Sequence, residues 1–458
     1  VPGVRVTLKH VETAREYATA TNEAGVYKFP PVQPGEYALS ASAPGFDAWR
    51  GSLTLQAGQT AVVDPSLKVA SATAEITVAG DVTPLVTVTS ATLGSAIERV
   101  RIDQLPLNGR FFQSLVQATN PGLEGEAGQP RVYGLRASSM EFLQDGAVLT
   151  NRDRGGISTR PPGIDTIQEF KVETSNSSAR MNRPATTIVS TRSGTNDFHG
   201  AAFETIRNNA IGVARRRQDF YEKAPHLVRN EFGASGGGPV LVPRLYNGRN
   251  RTFFFFAYEA YRLKSATTTS TRMPTMEMRS GDFSQMIDGV GRRLTQYDPW
   301  TTDARWGRTP FPNNIIPASR QSPVGKHYFA ITPAPTHPQV NPLVSANYYG
   351  PSPANRLDHT ETLRVDHRLS DGDQIFGRYS HGNSWDERRR GWASNGSPVL
   401  LDRSGNLEIV HVRNESAVFS WNHLFSPAFF SEMIATGSLE DWEFCLPNTT
   451  GDSNYAGK

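Results

Sequence analysis

Residues 251–262, Arg251-Thr252-Phe253-Phe254-Phe255-Phe256-Ala257-Tyr258-Glu259-Ala260-Tyr261-Arg262, constrain the fold of this chain more than any other stretch. An extended strand points successive side chains to opposite faces, so four consecutive phenylalanines put two rings on each face. Such a strand belongs either in a sheet buried on both sides or in a wall between two different environments. No window of the sequence approaches the ~18 apolar residues that a membrane-spanning helix requires. A wall of β-strands escapes that test, because alternation keeps its mean hydropathy low.

The mean hydropathy of −0.44 is far too polar for a bundle of membrane helices. With 40 Gly, 31 Pro and 10% aromatic residues, the composition suits many strands joined by turns. At 458 residues the chain has material for two to four domains. The formal charge of +3 is a mild bias that does not call for a nucleic-acid partner. The basic runs at Arg215-Arg216-Arg217 and Arg388-Arg389-Arg390 are isolated and read as solvated loops. One cysteine, Cys445, excludes an internal disulfide and any multi-Cys metal site.

Catalytic signals are missing. The ten histidines include no His-x-x-x-His pair. Asp371-Gly372-Asp373 lacks an EF-hand ligand series and reads as a hairpin turn. Gly236-Gly237-Gly238-Pro239 lacks the Lys-Ser/Thr of a phosphate loop, no Gly-x-Ser-x-Gly elbow occurs, and Cys445 has no local base. The expectation is a protein that is not an enzyme, with no catalytic, cofactor-binding or metal-binding residues and no cofactor.

The fold class expected is mainly β: a small β-sandwich, an α+β plug domain and an incomplete antiparallel transmembrane β-barrel. Residues 1–70 alternate in short runs, Val26–Phe29, Tyr37–Ala41 and Ser52–Leu55, broken by turn signals at Asn22–Gly25, Gln33–Gly35 and Ala57–Gln59. Tyr27, Tyr37 and Phe46 are its expected core aromatics. Residues 71–90 are small, Thr-rich and interrupted by Pro84, and read as an extended linker. In 91–194, helices are expected over Ile97–Leu105 and Phe111–Thr119. Strands are expected over Arg131–Arg136, Glu141–Leu143, Ala147–Leu149, Ile167–Val172 and Thr186–Thr191, with a turn at Gln144-Asp145-Gly146. From 195 to 458 long strands alternate with polar loops, beginning at His199–Ile206 and continuing through Leu363–Leu369, Gln374–Ser380 and Ser416–His423.

Several motifs occur in order along the chain. Asn22-Glu23-Ala24-Gly25-Val26-Tyr27, Pro34-Gly35-Glu36-Tyr37 and Pro44-Gly45-Phe46 resemble the carboxypeptidase regulatory-like domain, a non-catalytic module. Gln104-Leu105-Pro106-Leu107-Asn108-Gly109-Arg110, Ile164–Phe170 and Ser178-Ala179-Arg180 resemble the plug domain of TonB-dependent outer-membrane receptors. Ser193–Gly200 resembles the junction of plug and barrel in that family, and Asn230–Pro239, Tyr246–Asn250 and Gly281–Ser284 continue the likeness. The chain departs from the pattern at Asn182-Arg183-Pro184-Ala185-Thr186, where the family carries glycines.

The resemblance implies a Gram-negative outer-membrane receptor for energised uptake, with its N-terminal domain in the periplasm. Glu75, Ile76, Thr77, Val78 and Ala79 look like the TonB box. Such a segment would add as a strand to the sheet edge of TonB, itself driven by an inner-membrane energising complex. The partners implied are therefore TonB, outer-membrane lipid and an unknown extracellular ligand. Trp300, Trp306, Tyr348 and Tyr349 are candidate ligand-contacting aromatics. The opening at Val1-Pro2-Gly3 and the polar end at 449–458 lead to the expectation of a fragment, with too few strands to close a barrel of about 22. The competing readings are a β-rich surface adhesin, a periplasmic carbohydrate-binding protein without transport activity, and a carbohydrate-active enzyme with an accessory sandwich.

Overall fold

The computed structural model describes residues 1–70, 77–82, 93–105, 107, 109–120, 122–125, 129–151, 155–157, 162–175, 181–211, 226–389, 407–426 and 429–445. Three sheets carry the architecture. The first is built from β1 (Arg5–His10), β2 (Glu16–Ala20), β3 (Gly35–Ser42), β4 (Trp49–Leu55) and β5 (Thr77–Asp81), in the order β2-β1-β3-β4-β5. Alternation drives its core: Val6, Leu8, Tyr37, Leu39 and Leu53 are buried on one face. Tyr37 sits at the centre of this core, whereas Tyr27 packs at its margin and Phe46 is only half-buried.

Two expectations fail here. Val26–Phe29 is not a strand. Pro30, Pro31 and Pro34 follow it and have no N–H to give a ladder, so the segment instead lies over the sheet, with the Tyr27 hydroxyl donating to the Val63 carbonyl at 2.7 Å. The segment read as a free linker is partly paired: Thr77–Asp81 joins the edge of β4 in parallel, Trp49 opposite Thr77 and Arg50 opposite Val78. An exposed edge accepts a β-prone neighbour because both have unpaired backbone groups.

The second unit combines β6 (Leu93–Glu98), α1 (Arg99–Gln104), α2 (Phe112–Thr119), β7 (Leu123–Glu124), β8 (Arg131–Val132), β9 (Met140–Gln144), β10 (Ala147–Val148), β11 (Ile167–Ser175) and β12 (Ala185–Thr191). Its main sheet has the order β10-β9-β12-β11-β6, with β9 and β12 parallel. Phe112, Phe142, Phe170, Ile167 and Leu115 form a dry core under the helices. The helix expected from Ile97 starts only at Arg99, because Ile97 and Glu98 are drawn into β6 by pairing with Phe170 and Glu169. The strand expected over Arg131–Arg136 stops at Val132, where Tyr133 and Gly134 take φ of 43° and 76° and turn the chain. Where the family carries glycines, Asn182 donates to the Glu141 carboxylate, and the Arg183 guanidinium donates to the carbonyls of Ser138 and Gly155.

The third sheet is a large antiparallel wall. Its strands are β13 (His199–Asn208), β14 (Leu227–Pro239), β17 (Thr252–Thr271), β19 (Asn355–Arg368), β20 (Asp373–Arg389), β21 (Leu407–Ser426) and β22 (Phe429–Cys445), paired in that order. A small hairpin of β15 (Leu241–Val242) and β16 (Tyr246–Asn247) lies between β14 and β17, and β18 (Tyr348–Pro353) pairs with the far end of β17. Among the described residues the wall does not close on itself. Short connections at 240–251 and 369–372 lie at one end; the long 272–354 connection lies at the other. The long 272–347 segment includes α3 (Met276–Arg279) and α4 (Pro323–Ile331).

The two faces of the wall differ in chemistry. In β19, Asp358, Thr360, Thr362, Arg364 and Asp366 are buried on the face that meets the second unit, while Leu363 and Val365 point outward. The four phenylalanines divide as expected: Phe253 and Phe255 face inward and are fully buried, and Phe254 and Phe256 face outward. Phe256, Leu363 and Tyr379 form one outward row, and Val365 and Phe419 lie in the next. From Ala417 to Phe425 the outward positions of β21 are Ala417, Phe419, Trp421, His423 and Phe425, with His423 paired to Asp373, over roughly 26 Å of strand at ~3.3 Å per residue, which falls to ~20 Å of height at a tilt of ~40°. Further toward the long connections the outward face turns polar at Glu361, His381 and Glu415, then at His359, Asn383 and Arg413.

Candidate functional site

The second unit meets the wall through charged groups. The turn between β9 and β10 places Asp145 and Gly146 at φ of 48° and 86°, the type I′ geometry that suits an Asp-Gly pair. This geometry carries the Asp145 carboxylate out toward the wall. There it lies 2.9 Å from Arg378 Nε and 3.4 Å from Arg364 Nη1. It also accepts the backbone N–H of Thr191 at 2.9 Å. Arg364 holds Asp366 with two parallel contacts, Nε to Oδ2 at 2.9 Å and Nη2 to Oδ1 at 3.0 Å, the fork geometry of a guanidinium on a carboxylate. Arg364 Nη1 also donates to the Thr191 carbonyl at 3.2 Å, and Arg378 Nη2 donates to the Gln144 carbonyl at 3.3 Å.

The side chains of all four ionic groups are 5% exposed or less, and the two acids balance the two bases. Removing charges from water is expensive, and only pairing of this quality repays it. Asp366 uses its full accepting capacity: Ser193 Oγ and Gln33 Nε2 each donate to it at 2.7 Å, beside the two contacts from Arg364.

A second polar patch lies further along the wall. Glu259 Oε1 accepts the backbone N–H of Asp165 at 2.8 Å, and Arg110 Nη2 lies 3.1 Å from Asp165 Oδ1 and its Nε 3.7 Å from Glu259. Arg99 Nη2 reaches the same Asp165 oxygen at 3.1 Å. A third contact joins Asn151 Nδ2 to Glu440 Oε2 at 2.6 Å. The unit thus meets the wall through charged and polar groups set among buried rings, Phe253 and Phe255 of the wall and the Phe111–Tyr261 pair at 5.5 Å, and is apolar within.

The N-terminal sheet touches both. Ala57 N–H donates to Glu169 Oε1 of β11 at 2.7 Å. Burial, reinforced by Glu98, pushes the Glu169 carboxyl up to about 7, against the lowering by the Ala57 N–H and Lys171. On the wall side, the Tyr17 hydroxyl donates to Gln374 Oε1 at 3.1 Å, and Asn422 Nδ2 donates to the Pro31 carbonyl at 3.3 Å. Every one of these wall contacts is at the end with the short connections.

Residues 190–457 match the family model described as outer membrane beta barrel domain, which is more than half of the chain. The chain belongs to this family. Residues 1–68 match the carboxypeptidase regulatory-like domain. As an outer-membrane β-barrel protein, it turns the Phe256–Leu363–Tyr379 face to lipid, and its N-terminal domain, at the short-turn end, lies in the periplasm. The barrel protein is 24% identical over 259 residues to the TonB-dependent transporter Oar of Myxococcus xanthus, covering 53% of this chain and 24% of that one. It is similar to the outer membrane transporter YddB of Escherichia coli, with a TM-score of 0.43 and 9% identity over 75% of this chain and 38% of the other. It is also similar to the siderophore receptor PirA of Acinetobacter baumannii, with a TM-score of 0.36 and 12% identity over 77% and 44%. The chain thus spans about a quarter of the length of the curated relative and less than half of these solved transporters.

The residues singled out from sequence fall in two places. Thr77, Val78 and Ala79 lie in β5 on the periplasmic domain, while Glu75 and Ile76 lie outside the described residues. The aromatics lie at the opposite, long-connection end. Trp300 is 78% exposed, with the Arg320 guanidinium 3.3 Å over its ring, and Asp298 pairs with that same arginine. Trp306 is 82% exposed at φ of 63°, in a turn closed by Asp303 accepting the N–H groups of Arg305 and Gly307. Tyr348 and Tyr349 are neighbours on β18 and point to opposite faces, with Tyr349 edge-on to His337 at 5.2 Å. The buried charges of the junction were missed. Their signal was the Arg364-Val365-Asp366 triplet, charged at both inward positions of an otherwise alternating strand.

Proposed function

We propose that the protein is the receptor of a TonB-energised uptake system, in which the second unit is the plug of the barrel and leaves its seat, wholly or in part, to admit a ligand. The observation that carries this reading is the Asp145–Arg364–Arg378–Asp366 junction, a polar seam between a dry-cored unit and a membrane wall. Polar interfaces separate at lower cost than dry ones, because water satisfies the freed groups. The likeness to a TonB-dependent transporter supports the same mechanism.

In this reading residues 71–90 link the periplasmic domain to the plug, and Glu75–Ala79 form the strand that TonB takes up. Since Thr77–Asp81 already occupies the edge of β4, TonB would compete with the domain's own sheet. On the outer side, Trp306 and the neighbouring aromatics of the 272–354 connection would contact the ligand. Calorimetry of the intact protein in detergent with the periplasmic domain of TonB tests the energising contact. Deletion of Glu75–Ala79 is expected to abolish the binding heat, and binding that survives the deletion would overturn the box assignment.

A further inference from the structure

The N-terminal domain is bound at three places, and they belong to different bodies. On the plug it holds Glu169 through Ala57 N–H, the Gly58 carbonyl accepts Lys171 Nζ at 3.4 Å, and Gln56 Nε2 donates to Glu98 at 3.0 Å. On the wall it holds Gln374, Asp366 and Asn422 through Tyr17, Gln33 and the Pro31 carbonyl. At the start of the barrel, Asn196 Nδ2 donates to the Thr13 carbonyl at 2.7 Å. A rigid domain fastened to both plug and wall resists any motion of one against the other.

One of these contacts differs in kind. Gln33 Nε2 donates to the same Asp366 oxygen that accepts Arg364 Nη2, and Arg364 reaches Asp145 of the plug turn. The periplasmic domain therefore touches the buried charge cluster itself, at a distance of 333 residues along the chain. Around this contact lies a cavity of about 260 Å³, lined by His10, Arg15, Asp145, Arg364, Asp366 and Asn422. Arg15 is 6% exposed, and its Nη2 has no hydrogen-bond partner among the described residues. A seam this polar and this loosely filled is built to part.

We infer that the N-terminal domain is a brace that bolts the plug to the barrel wall, acting on the plug's charge lock through Gln33 and Asp366. The domain comes off Asp366 before the Asp145 turn can leave Arg364. Withdrawing Gln33 opens that Asp366 oxygen to water from the adjoining cavity, and water then competes with Arg364 for the carboxylate, so the plug turn opens more often. This rests on the second unit being the movable plug, but its test needs neither TonB nor ligand.

Amide hydrogen exchange of the intact protein in detergent reads the opening of the Asp145 turn directly. The reporters are Asp145 N–H, bonded to the Val189 carbonyl, and Thr191 N–H, bonded to Asp145. Gln33→Ala is expected to speed their exchange about tenfold, the effect of losing one hydrogen bond to a charged group. Asn422→Ala also removes a bond between domain and wall but does not touch Asp366, so it is expected to leave both reporters unchanged. Protection of the β1 and β3 amides serves as the control for folding of the domain in each variant. Unchanged reporters in Gln33→Ala would overturn the inference, and so would equal acceleration by Asn422→Ala.

Discussion

The interior of the plug is built of apolar side chains, whereas the surface by which it meets the wall sets buried charges among aromatic rings. Inside, Phe112, Phe142, Phe170 and Val172 are completely excluded from solvent, and their neighbours in the core are aliphatic. At the wall, the charged side chains of Asp145, Arg364, Asp366 and Arg378 are 5% exposed or less and lie beside the buried rings of Phe253 and Phe255. Apolar packing is non-directional and is lost only when surface is re-exposed. Charge pairs are directional, so a small displacement breaks them together and gives the freed groups to water. In the proposed mechanism, the contrast separates what has to stay folded from what has to let go.

The largest effect is expected where the material is dry. Phe142→Ala should cost the plug about 3–5 kcal/mol by opening a cavity in its core, read as loss of protease resistance across 93–191 while the wall strands stay protected. The lock should respond differently. Arg364→Met leaves Asp366 buried without its guanidinium, which is expected to cost about 3 kcal/mol. The double variant Arg364→Met/Asp366→Leu removes both charges and should recover most of that loss. No such rescue exists for Phe142, and a double variant as unstable as Arg364→Met alone would erase the distinction.

The smallest effect concerns pH. The Glu169 carboxyl, raised from 4.5 to about 7, binds its proton more tightly in the docked state than free in water. Its contribution is fully present below about 4.5 and is lost as pH rises through 7. Contact between the N-terminal domain and the plug should therefore be firmer at acid pH than at alkaline pH, and Glu169→Gln should flatten the profile. Exchange of the Ala57 amide, which donates to Glu169, measures this. Exchange independent of pH beyond the chemical rate would show that the carboxyl is not the titrating group.

The strands of the wall were legible because alternation survives burial of either face: 374–380 lies within a strand of the sheet, and 363–369 does so except for Leu369, just past the strand's end at Arg368. The Asp145-Gly146 turn was legible because its backbone demands those residue types. Local signals failed where a partner remote in sequence decided. Ile97 went to a strand because Phe170 pairs with it, and Thr77–Asp81 went to the edge of β4. The charge lock was only half legible for the same reason. Arg364-Val365-Asp366 marks charge at inward positions of its strand, but the partner Asp145 lies 219 positions away and nothing local joins the two.

A double-mutant cycle on Asp145 and Arg364 tests most directly whether coupled charge holds the plug to its wall. Asp145→Asn suits the positive φ of the turn and removes the charge, and Arg364→Met removes the partner. Opening free energies of the 145 and 191 amides are measured for both single variants and the pair. The account predicts a coupling above ~1 kcal/mol, since the two groups share one buried cluster. Effects that add to within ~0.3–0.5 kcal/mol would contradict it, leaving the plug held by shape alone.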